Sequence, residues 1–517
     1  MASVTYATVY SQGLRDEELN AAFQHELEGL RSGSPRICPH HVGGERVEAG
    51  PLFEREDPSC SERIVSRGYA ADAETIFGAV SAARRALPEW RARSVDDRAA
   101  SLRRTIEAIN RRRAKLAALL ACETGKARAD AFAEVEECMA IADLFCRQVD
   151  EDNGYAIDLK SPSTAARAQV VLRPYGVFGV IAPFNFPLAI PLSMVGAALI
   201  MGNTVVFKPS AFAPACGEAF RELFDCAELP NGVLNVVQGG PAVGESLAGS
   251  DIDGLAFTGS AEVGLQLKQR LTQAPYVRPV FAEMGGKNPA IITAAVPDLD
   301  AAATAVARSA FGGTGQKCNA CSRAIVLAEI YEDFVSRLCD VASTLKPGDP
   351  ADADVFAGPL IDRRALDRFK TVIRAAEDQG QVRIGGEVPG GPNYFATCTV
   401  IDGLPREHWL ARKELFVPVL TVIPAETFDD ALEEANAVQY GLAAGLFSDS
   451  ASDCERFLDR IEAGIVFVNN PGGATTGVWP GSQTMSGWKA SGSTGKGGFG
   501  PWYIQQFGRE QSRTVFA

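Results

Sequence analysis

GLAFTGSAEVGLQLKQRLTQAPYVRPVFAEMGG, residues 254–286, reads as an apolar strand, a helix from about Ala261 to Leu271, and a second apolar strand. A strand buried on both faces is a short continuous apolar run, and strand–helix–strand is the unit that builds a parallel sheet with covered faces. Upstream the same texture recurs in VVLRPYGVFGVIAP (170–183), TVVFKPS (204–210) and GVLNVVQG (232–239), with helices expected at about Ala213 to Ala227 and Ala242 to Ala248. Such an alternation is a nucleotide-binding layout. Downstream a second alternating unit runs from about Asn288 to Ile465, with strands such as PAIIT, RAIVLAE and VLTVIP and a helix at about Leu299 to Phe311. The fold class is therefore α/β.

Composition narrows the function. With 517 residues, 46% hydrophobic and 22% charged, the chain has room for two or three ordinary globular domains. Its net charge of -14, from 50 basic and 64 acidic residues, argues against nucleic acid as a partner. The dense run Arg111 to Arg113 belongs to a helix whose apolar stripe is Leu102, Ile106, Ile109, Leu116 and Leu119, so those arginines read as solvated surface. Twelve scattered cysteines predict free thiols in a reducing compartment. Cys318 and Cys321 have CxxC spacing, but none of the four histidines lies near them, and no metal is expected. The uncharged run Pro174 to Phe207 is long enough for a membrane, yet Pro183, Pro187 and Pro191 break it into shorter elements of a two-sided core. The N-terminus lacks the basic start and apolar stretch of a signal peptide, so a cytoplasmic location is expected. The first forty-odd residues read as a polar extension, and Ala71 to about Gln148 as three amphipathic helices.

Chemistry concentrates at GTGQKCNACSR (313–323) and FAEMGGKNPA (281–290). Cys318 is a thiol nucleophile candidate, and Glu283 a carboxylate that can take a proton from a thiol or a water. No GxGxxG follows a strand at the right place, and GSTGKG ends in Gly497 where a phosphate loop needs Ser or Thr. In FTGSAEVG, Gly259 and Ser260 stand at a strand-to-helix turn, which on its own reads as a plain tight turn.

Taken together, these segments make the chain resemble the aldehyde dehydrogenase superfamily. Its nucleophile motif stands here as Gly315, Gln316, Lys317, Cys318, and its other landmarks follow in order: IAPFNFPLAIP with Asn185, GNTVVFKPS with Lys208, GLAFTGSAEVG, and RKELFVPVL with Glu414 and Phe416. KPGDP at Lys346 to Pro350, GPLI at Gly358 to Ile361 and YGL at Tyr440 to Leu442 extend the likeness over the chain from about residue 45. The resemblance implies oxidation of an aldehyde to its acid through a thioester on Cys318, with Glu283 as base and Asn185 as oxyanion donor. It implies NAD or NADP held by Ala182, Pro183, Lys208, Ser210, Gly244, Phe257, Gly259, Ser260, Met284, Glu414 and Phe416. Many NAD-preferring relatives carry Glu three residues after the lysine; Ala211 stands there, which removes repulsion against a 2'-phosphate and opens NADP use.

The tail GWKASGSTGKGGFGPWYIQQFGREQSRTV is similar to the branch that oxidises L-glutamate γ-semialdehyde, the open form of pyrroline carboxylate. That likeness implies Phe499 and Gly500 as a backbone anchor for the substrate carboxylate, Asn319 as a further donor to it, and Phe186 and Phe507 as aromatic walls of the aliphatic stem. Asn319 where the branch has Ser, Phe499 where it has Gly or Ala, and TMSG (484–487) in place of PFGG leave other semialdehydes, amino-aldehydes or a general aldehyde as alternatives. The implied organisation is an extension (1–45), a Rossmann-type NAD(P) domain (46–160 and 175–285), a catalytic domain (286–480) and a small strand-built oligomerisation element (161–174 and 497–517). A homodimer or higher homo-oligomer is the expected assembly.

Overall fold

The computed structural model describes residues 16–516 except residue 274. Five parallel strands form the body of a seven-stranded sheet, in the order Val280–Met284, Gly254–Gly259, Val177–Ile181, Thr204–Lys208 and Leu234–Val236. The antiparallel hairpin His40–Val42 and Glu45–Val47 completes its far edge. From Val177–Ile181 the chain adds two strands on one side, then returns to the other side with Gly254–Gly259. Order reverses there, and the carboxyl ends of the flanking strands open a crevice, the place where doubly wound sheets bind ligands.

The second sheet also has seven strands: Gln381–Ile384, Thr399–Asp402, Val419–Ala425, Cys321–Leu327, Asn288–Ile292, Ala443–Phe447 and Ile465–Val468, all parallel except the first. The strand Val280–Met284 ends one sheet, and three residues later Asn288–Ile292 begins the middle of the other. Glu283 thus lies at the carboxyl end of one sheet, a few residues from the amino end of the next.

Four helices, not three, fill the stretch before the first parallel strand: Ala73–Ala92, Val95–Arg111, Arg113–Thr124 and Arg128–Glu151. The apolar stripe runs on from Ile109 to Leu116, which hides the break at Arg112; Gly125, in the left-handed conformation at φ 72, makes the next stop. The extension is more integrated than its polarity suggests. Glu17–Ser32 is a helix whose Phe23 and Leu27 are fully buried, with Phe23 5.5 Å from the Phe132 ring. Residues 1–15 of the expected extension lie outside the described residues.

A third, three-stranded sheet joins Ala156–Leu159, Ala166–Pro174 and Gly508–Phe516. It includes 156–159 and omits 497–507, which the sequence reading had assigned to it. That omitted stretch carries Tyr503, Ile504 and Phe507, all buried, so it packs into the main core instead. Ile157, Leu159, Val515 and Phe516 are exposed on the small sheet. Among the described residues no helix is long and apolar enough to cross a membrane.

Two buried carboxylates fix helix starts near the crevice. Glu123 accepts from the Ala215 and Cys216 N–H groups at 2.8 and 2.7 Å, opening Pro214–Leu223, and from Ser66 Oγ. Glu134 accepts from Leu188 and Ala189 N–H at 2.9 and 3.2 Å, opening Ala189–Ile200, and pairs with Lys126. In each case a negative charge meets unsatisfied N–H groups at the positive end of a helix. Glu123→Ala strands those donors in a dry core and should cost about 3 kcal/mol. We expect thermal melting to fall by several degrees, while the exposed Glu54→Ala, which loses only a surface pair with Arg67, leaves it nearly unchanged.

Candidate active site

The crevice at the switch point is a cavity of about 710 Å³ bounded by both sheets. All eleven residues expected to hold a dinucleotide line it, from Ala182 and Pro183 at one strand end to Glu414 and Phe416 in the loop before Val419–Ala425. Ser260 caps the helix Ala261–Thr272, its hydroxyl accepting from Val263 N–H, so that a helix start opens into the crevice. Lys208 is buried and donates to the Pro209 and Gly239 carbonyls at 2.7 and 3.0 Å. Burial alone lowers its pKa to about 8. An ammonium has three donors, so one remains for a ligand oxygen. Ser210, Ala211 and Phe212 carry no carboxylate, although the exposed Glu245 does line the crevice. Opposite, Glu414 accepts from Gly286 N–H at 3.1 Å, and burial pushes its pKa up to about 7. A helix start for phosphates, an amine at one end and a carboxylate near Cys318 at the other fit an elongated dinucleotide.

Cys318 lines this crevice and also an inner chamber of about 70 Å³. The nucleophile loop is held on all sides. Asn288 Nδ2 donates to the Cys318 and Ala320 carbonyls, each at 2.8 Å, and Asn288 Oδ1 accepts from Ala443 N–H at 3.0 Å. Gln316 Oε1 accepts from Ile361 N–H at 3.0 Å. Thr475 Oγ1 donates to the Asn319 carbonyl at 2.6 Å, and Lys317 pairs with Asp130 at 2.9 Å. Gly315, at φ 67, lies against the Val417 carbonyl, where a Cβ would stand 2.4 Å from that oxygen. Only glycine satisfies both constraints.

Asn185 Nδ2 spends one hydrogen on the Gln316 carbonyl at 2.9 Å and keeps the other. The Cys318 N–H has no backbone partner among the described residues. Burial, then the Glu414 and Glu283 carboxyls, push the Cys318 thiol up to about 12. Glu283 Oε1 accepts from Gly498 N–H at 2.7 Å. Burial nonetheless raises Glu283 to about 7, the range suited to a base at neutral pH.

The inner chamber corrects part of the substrate reading. Phe186, Asn319 and Phe499 line it; Gly500 and Phe507 do not. Gly500 donates its N–H to Gly497, and its carbonyl accepts from Gln148, so it is engaged elsewhere. Phe507 is fully buried against Phe178, Phe281 and Tyr503. Thr476, Gly477 and Val478 form the wall instead, and none of their N–H groups has a partner among the described residues. Met485 and Glu137 complete it, the latter pushed up to about 8 by burial and by Glu134. The GGATTGVWP turn (472–480) just after a strand was the available signal for the first three, and an acidic residue on the apolar face of a helix was the signal for Glu137.

A family model described as the aldehyde dehydrogenase family matches residues 47–512. The 1-pyrroline-5-carboxylate dehydrogenase of Geobacillus sp. (strain WCH70) is 32% identical over 490 residues, covering 93% of this chain and 94% of its own. The alpha-ketoglutarate semialdehyde dehydrogenase of Haloferax volcanii is 36% identical over 448 residues, covering 85% and 91%. The crystal structure of the 1-pyrroline-5-carboxylate dehydrogenase from Thermus with bound NAD superposes with a TM-score of 0.93 at 30% identity, covering 97% of each chain.

A thiol with pKa near 12 is scarcely ionised at neutral pH. Without nucleotide, alkylation of Cys318 by iodoacetamide should rise about tenfold per pH unit from 7 to 9. Mass spectrometry of the labelled peptide reads this, and a plateau below pH 9 would show the thiol to be far more acidic.

Proposed function

The chain belongs to the aldehyde dehydrogenase family, and we propose that its substrate is a small aldehyde bearing a carboxylate, first among them L-glutamate γ-semialdehyde, which it oxidises to the acid with NAD or NADP. The observation that carries this is the position of Cys318, at the junction of a crevice that fits a dinucleotide and a chamber that ends in unpaired backbone donors.

The Cys318 thiol gives its proton to Glu283 directly or through water, and its sulfur bonds to the aldehyde carbon. The aldehyde oxygen gathers charge between the free hydrogen of Asn185 Nδ2 and the Cys318 N–H, a setting in which losing one donor costs about a hundred- to a thousandfold in rate. A nicotinamide cofactor held by Lys208, Ser260 and Glu414 would supply the hydride acceptor needed for the sulfur adduct to become a thioester. Glu283, after releasing the thiol's proton to solvent, takes a proton from water, the water oxygen bonds to the acyl carbon, and the sulfur leaves as thiolate.

At the far end of the chamber, the substrate carboxylate meets the Gly477 and Val478 N–H groups and the Asn319 amide. Glu137 faces the α-ammonium, an ion pair that also restores its own ionised form. The Haloferax relative motivates a second reading, a keto-semialdehyde, for which Glu137 has no partner. Free, scattered thiols fit a cytoplasmic setting, and the exposed apolar residues of the three-stranded sheet fit assembly of like subunits.

NAD(P) reduction with pyrroline carboxylate, α-ketoglutarate semialdehyde, succinate semialdehyde and propanal tests this, with Cys318→Ser as blank. The first should give the highest kcat/KM. Glu137→Gln should lower it by about tenfold for the amino-substrate and little for the keto analogue; equal losses, or preference for propanal, would sink the reading. Glu283→Gln should give one burst of NAD(P)H and then slow turnover. In the wild type, thioester hydrolysis should climb with pH through a midpoint near 7, because the ionised carboxylate is the acceptor and its fraction grows above that value. Glu283→Gln should flatten that climb.

A further inference from the structure

Ser193 lies in the helix Ala189–Ile200, 5% exposed, and apart from the Tyr503 hydroxyl beside it its Oγ has no hydrogen-bond partner among the described residues. A helical serine commonly bonds back to the carbonyl four residues earlier; this one lines the inner chamber with Glu283 and Cys318. Its hydroxyl and the Glu283 carboxyl converge on Gly498. A side-chain carbon there would stand 3.3 Å from Glu283 Oε1 and 3.5 Å from Ser193 Oγ, so the glycine keeps the space between them open. Gly498 N–H engages Glu283 Oε1, which leaves Oε2 for a proton donor. Behind Ser193 is the buried Tyr503. Burial and the Glu283 carboxyl hold its phenol well above the ordinary value while a hydrogen bond with Ser193 opposes that shift, so the tyrosine is a proton-bearing neighbour of both.

A buried hydroxyl that keeps hydrogen-bonding capacity to spare beside a base is a fitting site for water, which takes two to four polar partners when buried. We propose that Ser193 is the positioning residue for hydrolysis: together with Glu283 it holds the water that cleaves the thioester on Cys318. This rests on the aldehyde dehydrogenase reading. One water hydrogen goes to Glu283 Oε2, the water oxygen forms its bond to the acyl carbon while Ser193 Oγ orients the molecule, and the C–S electron pair returns to sulfur. The product leaves as the carboxylic acid, with Glu283 protonated and Cys318 as thiolate. Ser193 neither gains nor loses a proton overall.

The test isolates hydrolysis from the nicotinamide. Cys318 is acetylated with p-nitrophenyl acetate, and the acetyl-enzyme is followed by rapid quench and intact mass in wild type, Ser193→Ala and Ser193→Thr. The alanine variant should decay about tenfold more slowly, the value of one hydrogen bond to the water. The threonine variant, which keeps the hydroxyl, should decay within about threefold of wild type. Melting of Ser193→Ala should fall by no more than a few degrees, since the only protein hydrogen bond lost is the one with Tyr503. Decay of Ser193→Ala at the wild-type rate overturns the proposal, and so does slowing shared equally by Ser193→Thr, which would mark a packing role. Failure of the family reading would show separately, as absence of NAD(P)H from every aldehyde with wild type.

Discussion

Three residues, Gly285 to Lys287, separate the end of one parallel sheet from the start of the other, and the site depends on that shortness. Glu283 belongs to the first sheet, whereas Asn288, which grips the Cys318 and Ala320 carbonyls, opens the second. Glu283 and Cys318 are far apart along the chain but are tied to neighbouring points of one short crossing. Strand pairing on both sides fixes their separation more firmly than a loop would. Gly286 adds to the junction by donating to Glu414, which ties the dinucleotide crevice to the same few residues.

Around that junction is an unusually charged interior. Lys126 pairs with Glu134, Lys317 with Asp130, and Glu137 stands between them and the chamber. A buried ion pair is a weak source of stability, because desolvation offsets its attraction, but breaking one leaves a costly lone charge. Their value here is geometric. Glu134 sets the start of the helix after Asn185, Lys126 lies 3.8 Å over the Phe186 ring, and Asp130 holds the nucleophile loop through Lys317 and Gly313 N–H. Two side chains of one helix, Arg128–Glu151, together with Lys126 just before it, therefore brace both the Asn185 turn and the Cys318 loop.

Much of this was legible in the sequence because period and composition speak for buried elements. The helices expected at Ala261 to Leu271 and Leu299 to Phe311 agree with the observed Ala261–Thr272 and Leu299–Phe311 to within a residue, and the eleven crevice residues converge as a set. The chamber was less legible. Phe499 and Gly500 are adjacent in sequence, yet only Phe499 faces the cavity, since Gly500 is taken up by Gly497 and Gln148. Phe507 looked like a substrate wall because aromatic rings pack and bind with the same apolar surface, and only its full burial among other rings decides between the two. Gly477 and Val478 line the chamber with backbone N–H groups that have no partner among the described residues, and the Gly-rich turn around them was the one faint mark of it. The break at Arg112 was hidden for a related reason: the apolar stripe continues through it.

The suppressed acidity of Cys318 has a bearing on durability. Peroxides and electrophiles react with thiolates, and burial beside the Glu414 and Glu283 carboxyls disfavours that form of Cys318. A resting enzyme of this kind is sheltered from overoxidation, and its sulfur becomes vulnerable only when something beside it withdraws the proton.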